Sequence, residues 1–335
     1  MARWSMARPR PVPESHPLLE ATRRRLRARH LSPRTEKSYV GWVRRFLRHI
    51  HPESDPRRIG SAQVNGFLTD LGARDGVSSS TQNQAASALS FFFREVLGDE
   101  RGAFRDFVRA KTSRRLPIVL SDREVAAVLG QLSGTYRLIG SLLYGSGLRL
   151  SEALGLRIGH LFVDSRQILV RAGKGDKDRR TMMPTRLVSP IERQIARREE
   201  THRADLRRGA GWAPMPGAQY RIAPRRGRSL AAQYLFPASR LNPIDGAPGT
   251  SLGRVPLHPS AMQRALGRAV RKSGVRKRVT CHTFRHSFAT HLLRNGYDPR
   301  TIQELLGHKS LRTTMVYTHV LEAPGVGVTS PLDRI

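Results

Sequence analysis

Apolar residues recur at helical spacing through much of the chain that follows position 17, and this periodicity limits the possible folds more than any other feature. The clearest segment is SPRTEKSYVGWVRRFLRHI, in which Ser32 suits an N-cap and Pro33 a first helical turn. Its apolar positions share one helix face: Tyr39, Trp42, Val43, Phe46, Leu47 and Ile50. Further helices are predicted near 61–73 and 80–97, so we expect a helical unit here.

Strand-like alternation occurs in RQILVRAGKGDKDRRTMMP, where Ile168 and Val170 precede a glycine-rich turn. This segment predicts a pair of strands. Before it, Ser121 and Glu124 form a capping box at the start of a helix. The remaining helices are predicted to end near 157 and to lie near 260–273, 283–295, 299–306 and 313–320. The predicted fold class is mainly α with a small β-sheet.

The chain of 335 residues is long enough for two domains. A basic stretch, RAKTSRRLP, indicates a connection at 113–118 between a unit at 18–112 and a unit at 119–335. Residues 1–17, rich in proline and arginine, predict a flexible basic arm. A section at about 200–255 is rich in Gly, Pro and Arg and has little periodicity, so it is either a disordered linker or an insertion.

The charge balance favours a polyanionic partner. Lys and Arg number 59 against 26 Asp and Glu, which gives a formal net charge of +33. Guanidinium groups pair bidentately with phosphate, so nucleic acid is the leading partner class, ahead of an anionic membrane surface or a ribosome. On the first amphipathic helix, Arg44, Arg45 and Arg48 form a basic face that we expect to contact DNA.

Other composition features exclude several classes of protein. No apolar run approaches the roughly 18 residues that span a bilayer, so no membrane segment is expected. The first residues are basic but lack the apolar core of a secretory leader. Cys281 is the only cysteine, which excludes an internal disulfide and suits a reducing cytoplasm.

Two segments each place an arginine within helical reach of another polar side chain. In LLYGSGLRLSEALGLR, Arg149 and Glu152 follow a Gly-Ser-Gly break, and the carboxylate one helical turn on is expected to hold the guanidinium. A nucleotide-binding loop is the rival interpretation, but neither G-x-G-x-x-G nor G-K-[ST] is complete here. In TCHTFRHSFATHLL, His282 and Arg285 are expected side by side near a helix start, where backbone amides also favour an anion.

Three further residues complete the candidate set. Lys174 lies between two glycines in the turn of the predicted strand pair. His308 follows a short helix closed by Gly307, and Tyr317 follows in the next predicted helix. Taken singly, each residue also has a purely structural interpretation: Lys174 in a solvated turn, His308 as a helix cap and Tyr317 as a packed core residue.

Together, in chain order, these residues resemble the tyrosine site-specific recombinase family. The matching frames are GLRLSE, GKG on a hairpin, HTFRHSFATHLL, and LLGH followed by TTMVYTHV. The resemblance spans about residues 18–335 and implies a helical core-binding (SAM-like) domain at 18–112 and an α/β catalytic domain at 119–335. It implies that Arg149, Lys174, His282, Arg285, His308 and Tyr317 are catalytic and that Glu152 supports them.

The resemblance also implies a reaction. Tyr317 would form a 3′-phosphotyrosyl link to DNA without a metal or other cofactor, with Lys174 protonating the departing 5′ oxygen. His282 would assist proton loss from the tyrosine, and His308 would hydrogen-bond the phosphate. Lys177 and Arg179, in the same basic turn as Lys174, are expected to contact DNA.

The sequence is also similar to the integron integrase branch in RTEKSYVGWVRRF, STQNQAASALSFFFREVLG and GVGVTSPLD. That branch implies exchange of gene cassettes, a duplex site, a folded single-stranded hairpin site gripped by the insertion, and a homotetramer on DNA formed from free monomers. A tail at about 321–335 would pack onto a neighbouring copy. The insertion lacks the tryptophans and His-His pair expected for the branch. A Xer- or phage-type recombinase acting on duplex sites, and a non-catalytic DNA-binding protein, therefore remain alternatives.

Overall fold

The computed structural model describes residues 12–13, 15–50, 59, 61–98, 117–171, 178–215, 223–249 and 251–318. The chain divides into two compact units, Met1–Arg114 and Arg115–Ile335. Several predicted features lie outside the described residues: most of the arm at 1–17, most of the connection at 113–118, the tail at 321–335, and the lysines Lys174 and Lys177.

The described part of the first unit is helical, as its periodicity predicts. Its helices are α1 (Pro17–Ala28), α2 (Pro33–His49), α3 (Ser61–Ala73) and α4 (Ser79–Phe91), the last continued by a π-helical turn at Phe92–Val96. The Ser32 side chain caps α2 by accepting a hydrogen bond from the Thr35 amide. Phe46 of α2 meets the rings of Phe67 and Phe93 edge to face, with ring centroids 5.4 and 5.8 Å apart. These contacts form the centre of the unit's core.

The described part of the second unit combines helices with two small sheets. The helices are α5 (Asp122–Gly130), α6 (Gly134–Gly145), α7 (Leu150–Leu154), α8 (Val188–Arg207), α9 (Pro259–Ser273), α10 (Cys281–Arg294), α11 (Pro299–Leu306) and α12 (Leu311–Met315). The strands are β1 (Leu161–Phe162), β2 (Gln167–Val170), β3 (Arg179–Met182), β4 (Asn242–Pro243) and β5 (Leu252–Gly253). The predicted strand pair is present, because β2 and β3 pair antiparallel with Ile168 opposite Thr181.

The break before α7 is set by a close approach of chain segments. Gly147 has φ +62°, and a Cβ added there would lie 2.5 Å from a ring carbon of Phe288 in α10. Glycine alone combines that backbone conformation with that packing. The helix that follows ends at Leu154, three residues earlier than the predicted end near 157. The break therefore fixes the start of α7 against α10.

The glycine- and proline-rich section at about 200–255 is folded where the structure describes it. Helix α8 continues to Arg207, and the later residues form two 3₁₀ turns, Pro224–Arg228 and Leu230–Ala232, and the β4–β5 hairpin. The Gln233 amide nitrogen lies 3.0 Å from the Gly211 carbonyl oxygen and 3.2 Å from that of Gly227. The disordered-linker interpretation is wrong for these residues. They are held in place by side-chain hydrogen bonds rather than by a periodic apolar face.

A buried ionic network joins this section to α8. The Asp205 carboxylate accepts two hydrogen bonds from Arg254, at 2.7 and 2.8 Å, and lies 3.7 Å from Arg198. Burial lowers the pKa of Arg198 to about 10, and Arg198 also donates to Gln233 at 2.8 Å. Opposite charges in this interior compensate one another and fix the section on the helix.

Candidate active site

The Arg149–Glu152 pair stands at the start of α7, where the sequence places it. Arg149 is the N-cap residue, and its guanidinium donates to the Glu152 carboxylate at 2.6 Å. The same carboxylate accepts the backbone amide of Arg149 at 2.8 Å. The Glu152 side chain therefore caps the start of α7 and orients the Arg149 guanidinium.

The Glu152 carboxylate also brings in two cations from elsewhere in the chain. Arg179 of β3 donates to both carboxylate oxygens, at 3.0 and 2.7 Å, and Arg285 of α10 lies 3.8 Å away. Burial alone raises the pKa of Glu152, but the hydrogen bonds and charges of Arg179 and Arg149 outweigh it and lower that pKa to about 2. The carboxylate is therefore ionised at neutral pH.

Arg285 is held in the interior by backbone acceptors. Its side chain is buried and donates to the carbonyl oxygens of Gly147 and Leu306, each at 2.5 Å. Burial, followed by the charge of Arg149, lowers the pKa of Arg285 to about 9. The guanidinium remains cationic at neutral pH, and its position is fixed by carbonyls from two separate segments of the chain.

Tyr317 lies in the same region. Its side chain is buried, and its hydroxyl is 3.0 Å from Nδ1 of His286. Burial raises the pKa of Tyr317, and the charges of Arg285 and Arg149 act in the opposite direction with less effect. The phenol is therefore neutral in the DNA-free protein, and the charges of the two arginines grouped with it from the sequence act on it.

Among the described residues, two histidines contact this tyrosine, His286 and His308, and a third, His282, lies next to His286. His308 stacks on the Tyr317 ring, with centroids 6.1 Å apart and an interplanar angle of 26°, and its Nδ1 is 2.9 Å from the Thr314 hydroxyl. The ring of His282 is 6.1 Å from that of His286, and its side chain reaches solvent. Burial and nearby cations lower the pKa of His308 to about 3 and that of His286 to about 4, so both are neutral imidazoles at pH 7.

The end of the site differs from the predicted helix at 313–320. Ser310 caps α12, which covers Leu311–Met315 only, and Tyr317 lies in the following turn, where its amide donates to the Thr314 carbonyl at 3.0 Å. From this turn the Tyr317 ring contacts those of His286 and His308, and residues 319–320 of the predicted helix lie outside the described residues.

Arg179 occupies a different place from the one expected for a DNA contact. Its side chain is 9% exposed, and its donors reach Glu152 and, at 2.9 Å, the Leu305 carbonyl oxygen. A Cβ at Gly307, where φ is +64°, would lie 2.7 Å from an Arg179 side-chain carbon. In the DNA-free protein this guanidinium therefore belongs to the framework of the site, and its direct contact with DNA stays a prediction.

His286 was missed by the sequence analysis. It directly follows Arg285 and lies four positions after His282, a spacing that puts both histidines on one helix face. That spacing was the sequence signal that could have identified His286. Lys174 and Lys177 lie outside the described residues, so their assigned roles stay predictions.

The basic face of the first unit is partly neutralised within the unit. Arg45 and Arg48 of α2 are exposed and Arg44 is half-buried. Arg45 pairs with Asp75 at 2.5 Å and lies over the Trp42 ring, 5.5 Å from its centroid. Their contact with DNA stays a prediction.

Two kinds of site are not found in the described residues. No group of three His, Cys, Asp or Glu side chains there is arranged to hold a metal ion. No helix in the described ranges is both long and apolar enough to cross a membrane.

Known proteins match both units of the chain. The model of the Phage integrase family matches residues 119–323, and that of the phage integrase N-terminal SAM-like domain matches residues 18–103. An Escherichia coli protein named Integrase/recombinase is 43% identical over 327 residues, covering 98% of this chain and 96% of that protein. A Thermococcus onnurineus protein named Tyrosine recombinase XerA is 32% identical over 293 residues, or 86% of each chain.

Solved structures share the fold. The Tn1549 transposon integrase in complex with transposon right end DNA matches with TM-score 0.62 and 19% identity, covering 94% of this chain and 96% of that one. A lambda integrase tetramer bound to a Holliday junction matches with TM-score 0.60 and 16% identity, covering 90% of this chain and 76% of that one.

The low pKa of Glu152 predicts a pH-dependent contribution to stability. Because this pKa is about 2 in the folded protein against 4.5 for the free group, the ionised carboxylate stabilises the fold by about 3 kcal/mol. That stabilisation is present above about pH 4.5 and is lost as the pH falls toward 2. Glu152→Gln should therefore lower the free energy of unfolding at pH 7, with a smaller difference at pH 3, as measured by denaturant titration.

Glu124→Gln is the matched control, because Glu124 also pairs with a cation, Lys277 at 2.7 Å, but near the surface. It should cost much less stability at pH 7. Equal losses for the two variants, or a Glu152→Gln loss that does not shrink at low pH, would contradict the account of Glu152.

Proposed function

The chain belongs to the phage integrase family of tyrosine recombinases, which cut and rejoin DNA, and we propose that Tyr317 is the nucleophile that becomes linked to the DNA strand. The observation that carries this proposal is a buried phenol in contact with two histidines, His286 and His308, where the charges of Arg149 and Arg285 also act on it. These cations supply what an attack on a phosphodiester requires, because the phosphate anion otherwise repels a nucleophile.

Arg149 and Arg285 are proposed to bind the non-bridging oxygens of the scissile phosphate. Arg149 is partly exposed, with 20% of its side chain reaching solvent, while Arg285 is 4% exposed and is oriented by two carbonyls. Guanidinium groups fit two phosphate oxygens and stabilise the charge that grows in the pentavalent transition state. Loss of one such donor costs roughly 10²–10³ in rate in comparable sites.

The proposed reaction conserves the energy of the phosphodiester. The Tyr317 oxygen forms a bond to phosphorus, and the bond from phosphorus to the 5′ oxygen breaks. The resemblance implies that Lys174 protonates the leaving oxygen, that His282 assists proton loss from Tyr317, and that His308 hydrogen-bonds the phosphate. The products are a 3′-phosphotyrosyl protein and a free 5′ hydroxyl. When the 5′ hydroxyl of a partner strand attacks the phosphotyrosyl link, the step runs in reverse and the exchange is completed without ATP.

We also propose an integron-type substrate, with gene cassettes integrated and excised through a duplex site and a folded single-stranded site. The similarity of RTEKSYVGWVRRF and GVGVTSPLD to that branch supports it. So does the folded section that follows α8, which offers exposed arginines, Arg225 and Arg226, on a 3₁₀ turn. Such a surface suits shape-based reading of a nucleic acid backbone.

The second candidate is a Xer-type recombinase acting on duplex sites alone. Relatives named Tyrosine recombinase XerA and Tyrosine recombinase XerD, each 32% identical, favour it. The two candidates share all the proposed chemistry at Tyr317. They differ only in the form of DNA that is exchanged.

The proposed assembly on DNA is a homotetramer formed from free monomers. The shared fold with a lambda integrase that forms a tetramer on a Holliday junction supports this proposal. Arg44, Arg45, Arg48 and Lys177 are proposed to contact DNA, and residues 321–335 to pack onto a neighbouring copy.

Covalent trapping tests the nucleophile. Wild-type protein is incubated with nicked duplexes that carry a randomised segment. Strands that stay linked to the protein in detergent are recovered and amplified, and they then serve as the defined substrate. Wild type should give protein-linked DNA on that substrate and Tyr317→Phe none, because the substitution removes only the attacking oxygen. Tyr297→Phe is the matched control, since Tyr297 is 54% exposed in the same unit, and should behave as wild type. Protein-linked DNA from Tyr317→Phe would refute the assignment.

The form of DNA exchanged separates the two candidates. Replacing both Arg225 and Arg226 by Ala should reduce recombination of a folded single strand by about tenfold relative to duplex recombination, because phosphate contacts are lost. The matched control removes Arg264 and Arg268, two exposed arginines of α9. An equal loss on both DNA forms, or no single-strand recombination by wild type, would contradict the integron-type proposal.

A further inference from the structure

The Tyr317 hydroxyl makes its hydrogen bond to a residue that none of the assigned roles uses. Nδ1 of His286 lies 3.0 Å from that hydroxyl, and the two rings are 5.5 Å apart. Because the phenol is neutral at physiological pH, its O–H needs an acceptor. An imidazole whose Nδ1 accepts this hydrogen carries its own proton on Nε2.

The other two histidines of the site are less suited to receive this proton. Among the described residues, His308 meets Tyr317 ring to ring, with centroids 6.1 Å apart and an interplanar angle of 26°, and makes no hydrogen bond to the hydroxyl. Nδ1 of His308 is already bonded to Thr314. His282 opens to solvent at the start of α10, with its ring beyond that of His286. Within the described residues, His286 is the base in direct contact with the reacting oxygen.

We propose that His286, rather than His282, positions the Tyr317 hydroxyl and accepts its proton during DNA cleavage. This inference rests on the proposed role of Tyr317 as the nucleophile. In the step, the phenolic O–H bond breaks as an N–H bond forms at Nδ1 of His286. The tyrosine oxygen forms its bond to phosphorus, and the departing 5′ oxygen takes a proton from the general acid. The imidazolium returns its proton to Tyr317 when the strand is rejoined.

The surroundings of His286 make this base respond to DNA. The groups that face it are His282, Arg285, His308 and Tyr317. Burial, then the charges of His282 and Arg285, lower the pKa of His286 to about 4 in the DNA-free protein. A bound phosphate offsets those positive charges, so the pKa of His286 rises when the substrate is present. The tyrosine is therefore held neutral until DNA binds.

His286→Asn tests the proposal, because asparagine offers an oxygen near the position of Nδ1 but is not a base at these pH values. The probe is the nicked duplex recovered with wild-type protein, and the readout is the single-turnover rate of covalent complex formation from pH 5 to 9. Wild type should lose rate as the pH falls through the bound-state pKa of His286. His286→Asn should be slower by roughly 10²–10³ at pH 7 and should lack this acidic decline.

His291→Asn is the matched control, since His291 is a buried histidine of the same helix that bonds to Tyr144 instead, at 2.9 Å. It should keep the wild-type pH profile. DNA binding and thermal unfolding of each variant report folding, and His286→Gln replaces His286→Asn if that variant is unfolded. A histidine ¹⁵N spectrum of DNA-free wild type gives an independent check, with Nδ1 of His286 expected to be unprotonated.

Each outcome bears on the proposal. A His286 variant that keeps the acidic decline overturns it, whatever its rate, and so does a protonated Nδ1 in wild type. If wild type itself forms no protein-linked DNA, the proposed function fails and the inference with it. If wild type reacts, Tyr317→Phe does not, and the His286 variants keep the wild-type profile, the nucleophile stands and only the role of His286 is lost.

Discussion

The carboxylate of Glu152 is the interaction on which the rest of the site depends. It is buried, ionised, and in contact with Arg149, Arg179 and, at 3.8 Å, Arg285. Each of these arginines comes from a different element, so one acidic group holds α7, β3 and α10 in a fixed arrangement. Three guanidinium charges against one carboxylate leave two in excess; a phosphodiester anion would offset one of them, and the charge that grows in the transition state would meet the other.

The site divides its cations between structure and chemistry. Arg179 is enclosed by Glu152, the Leu305 carbonyl and the close approach of Gly307, and so acts as part of the framework. Arg149 keeps contact with solvent and can meet a ligand. Meanwhile the net charge of +33 over the whole chain supports affinity for DNA of any sequence, whereas the proposed reaction uses only a few of these cations, Arg149, Lys174 and Arg285.

Local sequence patterns predicted the parts of the fold that depend on neighbours in the chain. The Arg149–Glu152 pair follows from a spacing of three in a helix, and the β2–β3 pair from alternation beside a glycine-rich turn. Long-range contacts were not predictable in this way. Arg179 was expected to contact DNA as part of a basic turn, but Glu152, distant in sequence, holds it in the interior of the DNA-free protein. The role of His286 becomes visible only in the folded chain, where its Nδ1 contacts the Tyr317 hydroxyl.

The section after α8 is a second case in which local sequence patterns did not predict the structure. Its glycine and proline content left disorder open, because no apolar stripe indicated a helix or strand. Its order depends instead on a few buried polar groups, above all Asp205, Arg254 and Gln233, whose partners are distant in sequence. Irregular chain can be well ordered when each buried polar group has such a partner.

A crystal structure of the covalently trapped protein–DNA complex tests the central claim most directly. The account predicts a bond between phosphorus and the Tyr317 oxygen, with non-bridging oxygens at about 2.7–2.9 Å from the guanidinium groups of Arg149 and Arg285. It also predicts that Glu152 still joins those arginines to Arg179. A phosphate bonded to another residue, or one bonded to Tyr317 but out of reach of both arginines, would contradict it.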